Sequence, residues 1–171
     1  MAIRKIVEIG SDKLRKVCKP VEKFDKRLQV LLDDMADTMY KANGVGLAGP
    51  QVGILRRVAV IDVGDGLFKM VNPVIVETAG EQRGPEGCLS VPGRSGYVVR
   101  PNEVTVQYQD ENGEPVTLHT EEFFARAICH ELDHLDGVLY IDKMDEEIFD
   151  EDEDEDDEYY DDDEDFEEED E

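Results

Sequence analysis

The last 27 residues, Asp145 to Glu171, are Asp or Glu at every position except Ile148, Phe149, Tyr159, Tyr160 and Phe166. These 22 acids in one block repel one another and offer too little apolar surface to offset the entropy of ordering. Any packed core must therefore come from the first 144 residues, enough for one domain and too few for two of ordinary size. The expected organisation is a folded domain over 1–144 and an acidic, disordered tail over 145–171. The formal net charge of -26 misdescribes the body. Without the block, 22 acids face all 18 basic residues, a net of -4. With no basic stripe read in either part, direct nucleic-acid binding is not expected. The block also lacks the glycine-turned ligand spacing of an EF-hand loop, and its aromatic residues would be its anchors if it docked on a partner.

Three cysteines, Cys18, Cys88 and Cys129, are an odd number at unpatterned spacings, which argues for free thiols in a reducing compartment. The start, MAIRKIVEIG, has neither the apolar run of a signal peptide nor a transit peptide's Ser/Arg-rich character. No apolar stretch approaches the roughly 20 residues needed to span a bilayer. A soluble cytoplasmic protein without membrane contact is the expectation.

Leu28, Leu31, Leu32, Met35 and Met39 form the stripe of an amphipathic helix, with Asp25 as its cap and Asn43-Gly44 as its end. GVGLAGPQVG (44–53), with four glycines and a proline, predicts a shaped loop. Strands are expected at 57–63, at 69–77 interrupted by Asn72-Pro73, at 97–100 and at 103–109. Asn112-Gly113 predicts a hairpin joining Val104-Val106-Tyr108 to Val116-Leu118. Phe124, Ala127, Ile128 and Leu135 mark a second helix, capped by Thr120 and ending before Gly137, and a short strand over 138–141 would close the domain. The fold class is α+β, antiparallel strands packed around a central helix.

That second helix contains HELDH. Residues four apart lie on one face, so His130 and His134 can aim ring nitrogens at one ion about 2.0–2.1 Å away. Glu131, beside that face, can reach a water there without being a ligand, as a general base must. The competing reading is two histidines placed by chance. Two ligands do not complete a catalytic site, and the third decides its class. HExxHxxGxxH, the metzincin pattern, fails because its last position is Tyr140, and a downstream glutamate would have to come from the acidic block. Cys88 in PEGCLSVPG, on a turn signalled by Gly87 and Pro92, is the better candidate, since its thiolate suits zinc or ferrous iron. Cys129 points about 100° from the ligand face and, like Cys18, reads as a small core residue. His119 reads as an ordinary surface or hairpin residue.

Three segments in this order, GVGLAGPQ (44–51), EGCLS (86–90) and HELDH (130–134), resemble the signature motifs of the peptide deformylases, and the likeness spans roughly residues 3–144. The resemblance implies metal ligands Cys88, His130 and His134, a catalytic acid at Glu131, and an oxyanion held by the Gln51 side chain and the Leu89 N–H. It implies substrate contacts by strand addition along Gly44, Val45 and Gly46, and a methionine pocket near Val45, Phe123, Phe124 and Arg126. Gly49 and Cys129 stand where the family usually has alanine and glutamine.

The activity implied is hydrolysis of the formyl group from N-formylmethionyl ends of new proteins, releasing formate. The cofactor implied is one divalent ion, ferrous iron natively, with zinc suited to the same donors. The partner is the formylated peptide, near the ribosome in passing but not through a basic C-terminal helix, which the acidic tail cannot supply. The residues by themselves leave two other classes open: a metallopeptidase cutting internal amides, and a zinc-stabilised binding module presenting an acidic tail.

Overall fold

The fold was obtained as a computed structural model, which describes residues 2–149. Helix α1 is Lys26–Lys41, and the Asp25 carboxylate accepts from Leu28 N at 3.1 Å at its start. It ends through Ala42 and Asn43, whose φ of 57° lies in the left-handed region that asparagine tolerates. Leu28, Leu32, Met35 and Met39 are buried as their spacing predicts. Burying a leucine such as Leu32 contributes about 1.5–3 kcal/mol before entropy is counted.

The expected loop at 44–53 is partly regular: Gly46–Ala48 is a short strand, β1, and Gly49–Val52 a 3-10 turn. The strands that follow are β2 Val58–Ile61, β3 Phe68–Ala79, β4 Gln82–Cys88, β5 Val91–Arg100, β6 Glu103–Gln109 and β7 Pro115–Glu121. Helix α2 is Glu122–Leu135, and β8 is Glu146–Ile148. One antiparallel sheet has the order β1-β2-β3-β6-β7, the other β4-β5-β8.

All four residues of β2 are buried because both faces of the sheet are covered there. Val58 and Val60 pack with the α1 stripe, whereas Ile61 packs with Ile128 and Leu132 of α2. In β6 only Val104, Val106 and Tyr108 are buried, the alternation of a strand with one solvated face. The hairpin registers as expected, Val106 opposite Leu118 and Tyr108 opposite Val116.

Several local expectations are corrected. Strand β3 runs through Asn72-Pro73, with Asn72 left-handed (φ 52°) and its amide bonded to the Val21 carbonyl at 2.9 Å. Thr120 does not cap α2; its hydroxyl donates across the ladder to Val104 O, and Glu121 holds the N-cap position. The region 138–141 is not a strand: Tyr140–Asp142 is a 3-10 turn, packed through Tyr140 with Leu14, Val91 and Val98. The acidic run begins inside the fold, since β8 pairs with Ser95–Tyr97 of β5. The rest of the expected tail, 150–171, lies outside the described residues.

Gly137 closes α2 with φ 75°, and a Cβ there would lie 2.6 Å from the Arg15 carbonyl oxygen. Gly137→Ala is therefore expected to lower unfolding free energy by about 2–3 kcal/mol. Urea denaturation checks this, and an unchanged midpoint would refute the close approach.

Candidate metal centre

Cys88 ends β4 at a β-bulge, and Leu89-Ser90 turns the chain so that Val91 lies opposite it. His130 and His134, one turn apart on α2, face it across the sheet-to-helix junction. One ligand atom from each of these three residues lies within 4.8 Å of the others, and Cys88 Sγ is 3.4 Å from His134 Nε2. Sequence spacing joined the histidines. The fold brings the cysteine to them across 42 residues of chain.

The ring of His130 is oriented by Glu86, whose Oε1 lies 2.8 Å from Nδ1. Burial opposes ionisation of Glu86, but hydrogen bonds from His130 and Arg100 and the Arg100 charge pull its carboxyl down to about 2. An ionised carboxylate only accepts, so Nδ1 carries the proton and Nε2 is left for coordination. Arg100 grips Glu86 through two 2.9 Å bonds and reaches Asp133 at 2.6 Å, while Arg126 donates to Glu86 Oε2 at 2.6 Å. Tyr140, the residue that breaks the metzincin pattern, stacks on the His130 ring with centroids 5.9 Å apart.

Glu131 is buried, with Oε2 lacking a hydrogen-bond partner among the described residues. Burial pushes its carboxyl up to about 7, His130 acting against this and Glu86 with it. Burial disfavours charge on His130 too, yet hydrogen bonds to Cys88 and Glu86 and the charge of Glu131 push it up to about 10. Burial and the His130 charge hold His134 well below its ordinary value. A sulfur and two imidazoles, with an unpartnered carboxylate oxygen beside them, fit a divalent transition ion.

Gln51 reaches the same point from the 3-10 turn after β1. Its Oε1 accepts from Ala48 N at 2.9 Å, which fixes the amide and turns Nε2 toward Ser90 Oγ (3.1 Å) and Cys88 Sγ (3.5 Å). Gly44, Val45, Gly46, Leu89, Phe123 and Arg126 line the adjoining cavity of about 440 Å³. Phe124 does not: it packs into the core on Phe68, with ring centroids 5.1 Å apart. Gly46 has a use the motif did not disclose. A Cβ there would meet Glu131 Oε1 at 2.5 Å, so the glycine makes room for the carboxylate. Ser90 and Asp133 were not singled out by spacing, because their roles exist only after the two sheets and α2 assemble. Cys18, Cys129 and His119 stand apart from the cluster, the first two buried and His119 exposed on β7.

Metal donors beside a buried acid and a fixed amide define the class as a metal-dependent hydrolase. Within that class the chain belongs to the polypeptide deformylase family, whose model matches residues 3–148. It is 58% identical over 144 residues to a peptide deformylase of Acetivibrio thermocellus, covering 84% of this chain and 85% of that one. The crystal structure of the peptide deformylase from Thermotoga maritima superposes with a TM-score of 0.83 at 43% identity, over 84% of this chain and 99% of that one. A peptide deformylase from Synechococcus elongatus, solved in complex with actinonin, gives a TM-score of 0.79 at 42% identity over 81% and 77% of the two chains.

Glu86→Ala would strand two buried guanidinium groups and free the His130 ring. The expected cost is about 3–5 kcal/mol in urea unfolding, with metal affinity lowered about 10–100-fold. Metal titration of the folded variant measures the second effect, and unchanged affinity would separate Glu86 from the donor set.

Proposed function

We propose that this chain removes the formyl group from the N-formylmethionyl ends of newly made polypeptides, with Cys88, His130 and His134 holding one divalent ion and Glu131 carrying the proton. The observation that carries this reading is the convergence of three donor atoms within 4.8 Å beside a buried acid and an oriented amide. We assign ferrous iron as the native ion, with zinc accepted by the same donors. When bound, the ion supplies Lewis acidity that polarises the attacking water and the formyl oxygen.

Glu131 takes a proton from the water as its oxygen attacks the formyl carbon. Two donors serve the oxygen that becomes negative: the Gln51 amide and the N–H of Leu89, which opens the turn between the paired residues Cys88 and Val91. Glu131 then returns the proton to the leaving nitrogen, so one water and one formamide become formate and a free methionine terminus. A carboxyl pushed toward about 7 suits both halves of this exchange.

Substrate entry follows from the edge position of β1, which among the described residues pairs with β2 on one side only. An extended peptide can add along Gly44, Val45 and Gly46, and the apolar lining from Val45, Leu89 and Phe123 suits a methionine side chain. Arg126 acts from behind this lining by holding Glu86. No helix among the described residues is long and apolar enough to cross a membrane.

Formate release from a formyl-Met peptide, followed beside chain cleavage, tests the reading: formate without cleavage is expected, and internal cleavage would make the chain a peptidase instead. Glu131→Gln is expected to lose about 10²–10⁴-fold in kcat while keeping its metal by elemental analysis. Gln51→Ala should lose about 10²–10³-fold in kcat, whereas Cys88→Ala should lose the metal itself. Activity that survives Glu131→Gln would remove Glu131 as the proton carrier, and a native chain that binds metal but releases no formate would leave only the binding-module reading of the site.

A further inference from the structure

The body's small net charge conceals a basic tract that the fold assembles. Between Lys13 and Arg27, seven of fifteen residues are Lys or Arg and two are acidic. The first helical turn of α1 and the segment before it form a groove of about 670 Å³ with the loop preceding β2. Its rim carries Lys19, Lys23, Arg27 and Arg56, with Glu22 and Asp25, and its floor is apolar through Val21, Leu28 and Leu31. A second groove shares Arg27 and Leu31 and adds Lys26. Among the described residues, Lys19, Lys23, Lys26, Arg27 and Arg56 form no salt bridge, and all are exposed.

The other half of the observation is where the acidic run begins. Asp145 and Glu146 pair with Arg83, and Glu147 pairs with Arg94, as β8 adds to β5. Beside Arg94 the Tyr140 hydroxyl donates to the Arg94 carbonyl, and two residues on Asp142 pairs with Arg15. From Arg15 the basic residues continue through Lys16 and Lys19 to Arg56, whose backbone bridges Lys19. Arg83, Arg94 and Arg15 are thus already matched by acids, and the cations that form no salt bridge among the described residues begin at Lys16 and Lys19, the latter on the groove's rim.

We propose that this groove is the docking site of the chain's own acidic segment, residues 150–171, whose Tyr159-Tyr160 pair seats on the apolar floor while the flanking carboxylates meet the basic rim. Tyr159 lies ten residues beyond Phe149, a reach of about 33–36 Å, roughly twice the radius of gyration of about 15 Å for a domain of this size. Tethering raises the local concentration of the segment to the millimolar range. Each exposed ion pair is weak, at about 0–1 kcal/mol, so the contact depends on many pairs together and on salt. A polynucleotide would match the charge, but among the described residues the groove lining has no aromatic side chain on which bases could stack. An acidic peptide carrying its own aromatic residues fits both the rim and the floor. The docked segment shields the tract from polyanions, a property separate from the hydrolytic reading of the metal site.

Zero-length carbodiimide coupling of the full chain, as a dilute monomer, joins carboxylates to lysines in contact and is mapped by mass spectrometry. Links from 150–171 to Lys19, Lys23 and Lys26 within one molecule are expected. Their yield should fall about tenfold when salt rises from about 0.01 to about 1 M, which shortens the screening length from roughly 30 to 3 Å. Lys19→Glu with Lys23→Glu and Arg56→Glu should abolish links to the remaining Lys26 while formate release stays unchanged. A chain ending at Phe149 should bind duplex RNA at low salt where the full chain does not; the Thermotoga protein, matched over 99% of its length by 84% of this chain, indicates that such a chain folds. Links only between molecules, links to lysines elsewhere, or no links at low salt would each overturn the proposal. RNA binding by the full chain would give the groove to a polyanion instead.

Discussion

The carboxylate of Glu86 is the point on which the site's geometry depends. It is 7% exposed and belongs to β4, yet its partners are Arg100 of β5 and both Arg126 and His130 of α2. A buried ion in this setting is tolerable only when its lone pairs are filled, and four donors fill them here. The consequence is positional. The three-stranded sheet that delivers Cys88 is held against the helix that delivers the histidines by a charge that neither element could bury alone. Asp133, on the turn between the two histidines, takes the free end of Arg100 and extends the clamp.

A second constraint is steric. The loop after α1 must approach α2 closely enough for Gln51 to face Cys88, and Glu131 stands in the way. Glycine at 46 resolves this, because any side chain there would occupy the position of the carboxylate. Gly44 does the same for Leu89, whose Cδ1 would lie 2.8 Å from an added Cβ. Glycines that spacing suggests are for substrate access are first needed for packing. The two uses coincide, since a backbone free of side chains on its α2 side still presents an unpaired edge to the cavity.

What could be read from the chain divides along local and non-local lines. The α1 stripe, the Asp25 cap, the Asn112-Gly113 hairpin and the alternation of β6 are local regularities with a fixed period, and they appear in the structure as expected. HELDH is also local, so the two histidines and Glu131 could be placed on one helical turn without tertiary knowledge. Cys88 was reachable only through a turn signal and a family likeness, because nothing in its spacing relates it to residue 130. Strand β4 escaped notice since QRGPEGC carries no apolar alternation, and its pairing with β5 depends on backbone bonds and on the buried clamp at Glu86. Phe124 was misplaced for a related reason: helical spacing puts it near Phe123, but only the position of Phe68 decides which ring enters the core.

Charge was the least legible property, because a sum over the chain erases arrangement. The body at -4 looked featureless, although half of its basic residues lie in the first 27 positions. Folding sorts the basic residues into two kinds. Arg100 and Arg126 go inward and become part of the site's scaffold, while Lys19, Lys23, Lys26, Arg27 and Arg56 stay exposed on one side. The acids divide similarly: Glu86 and Glu131 are buried, and Asp145 to Glu147 lie on the surface against Arg83 and Arg94. Those three surface acids belong to the block that composition alone assigns wholly to a disordered tail. Backbone pairing along β8 supplies what side-chain burial could not, and three acids that would repel one another are each set opposite an arginine. The first acids of the run are therefore placed by the arginines available to them, whatever the composition of the block they open.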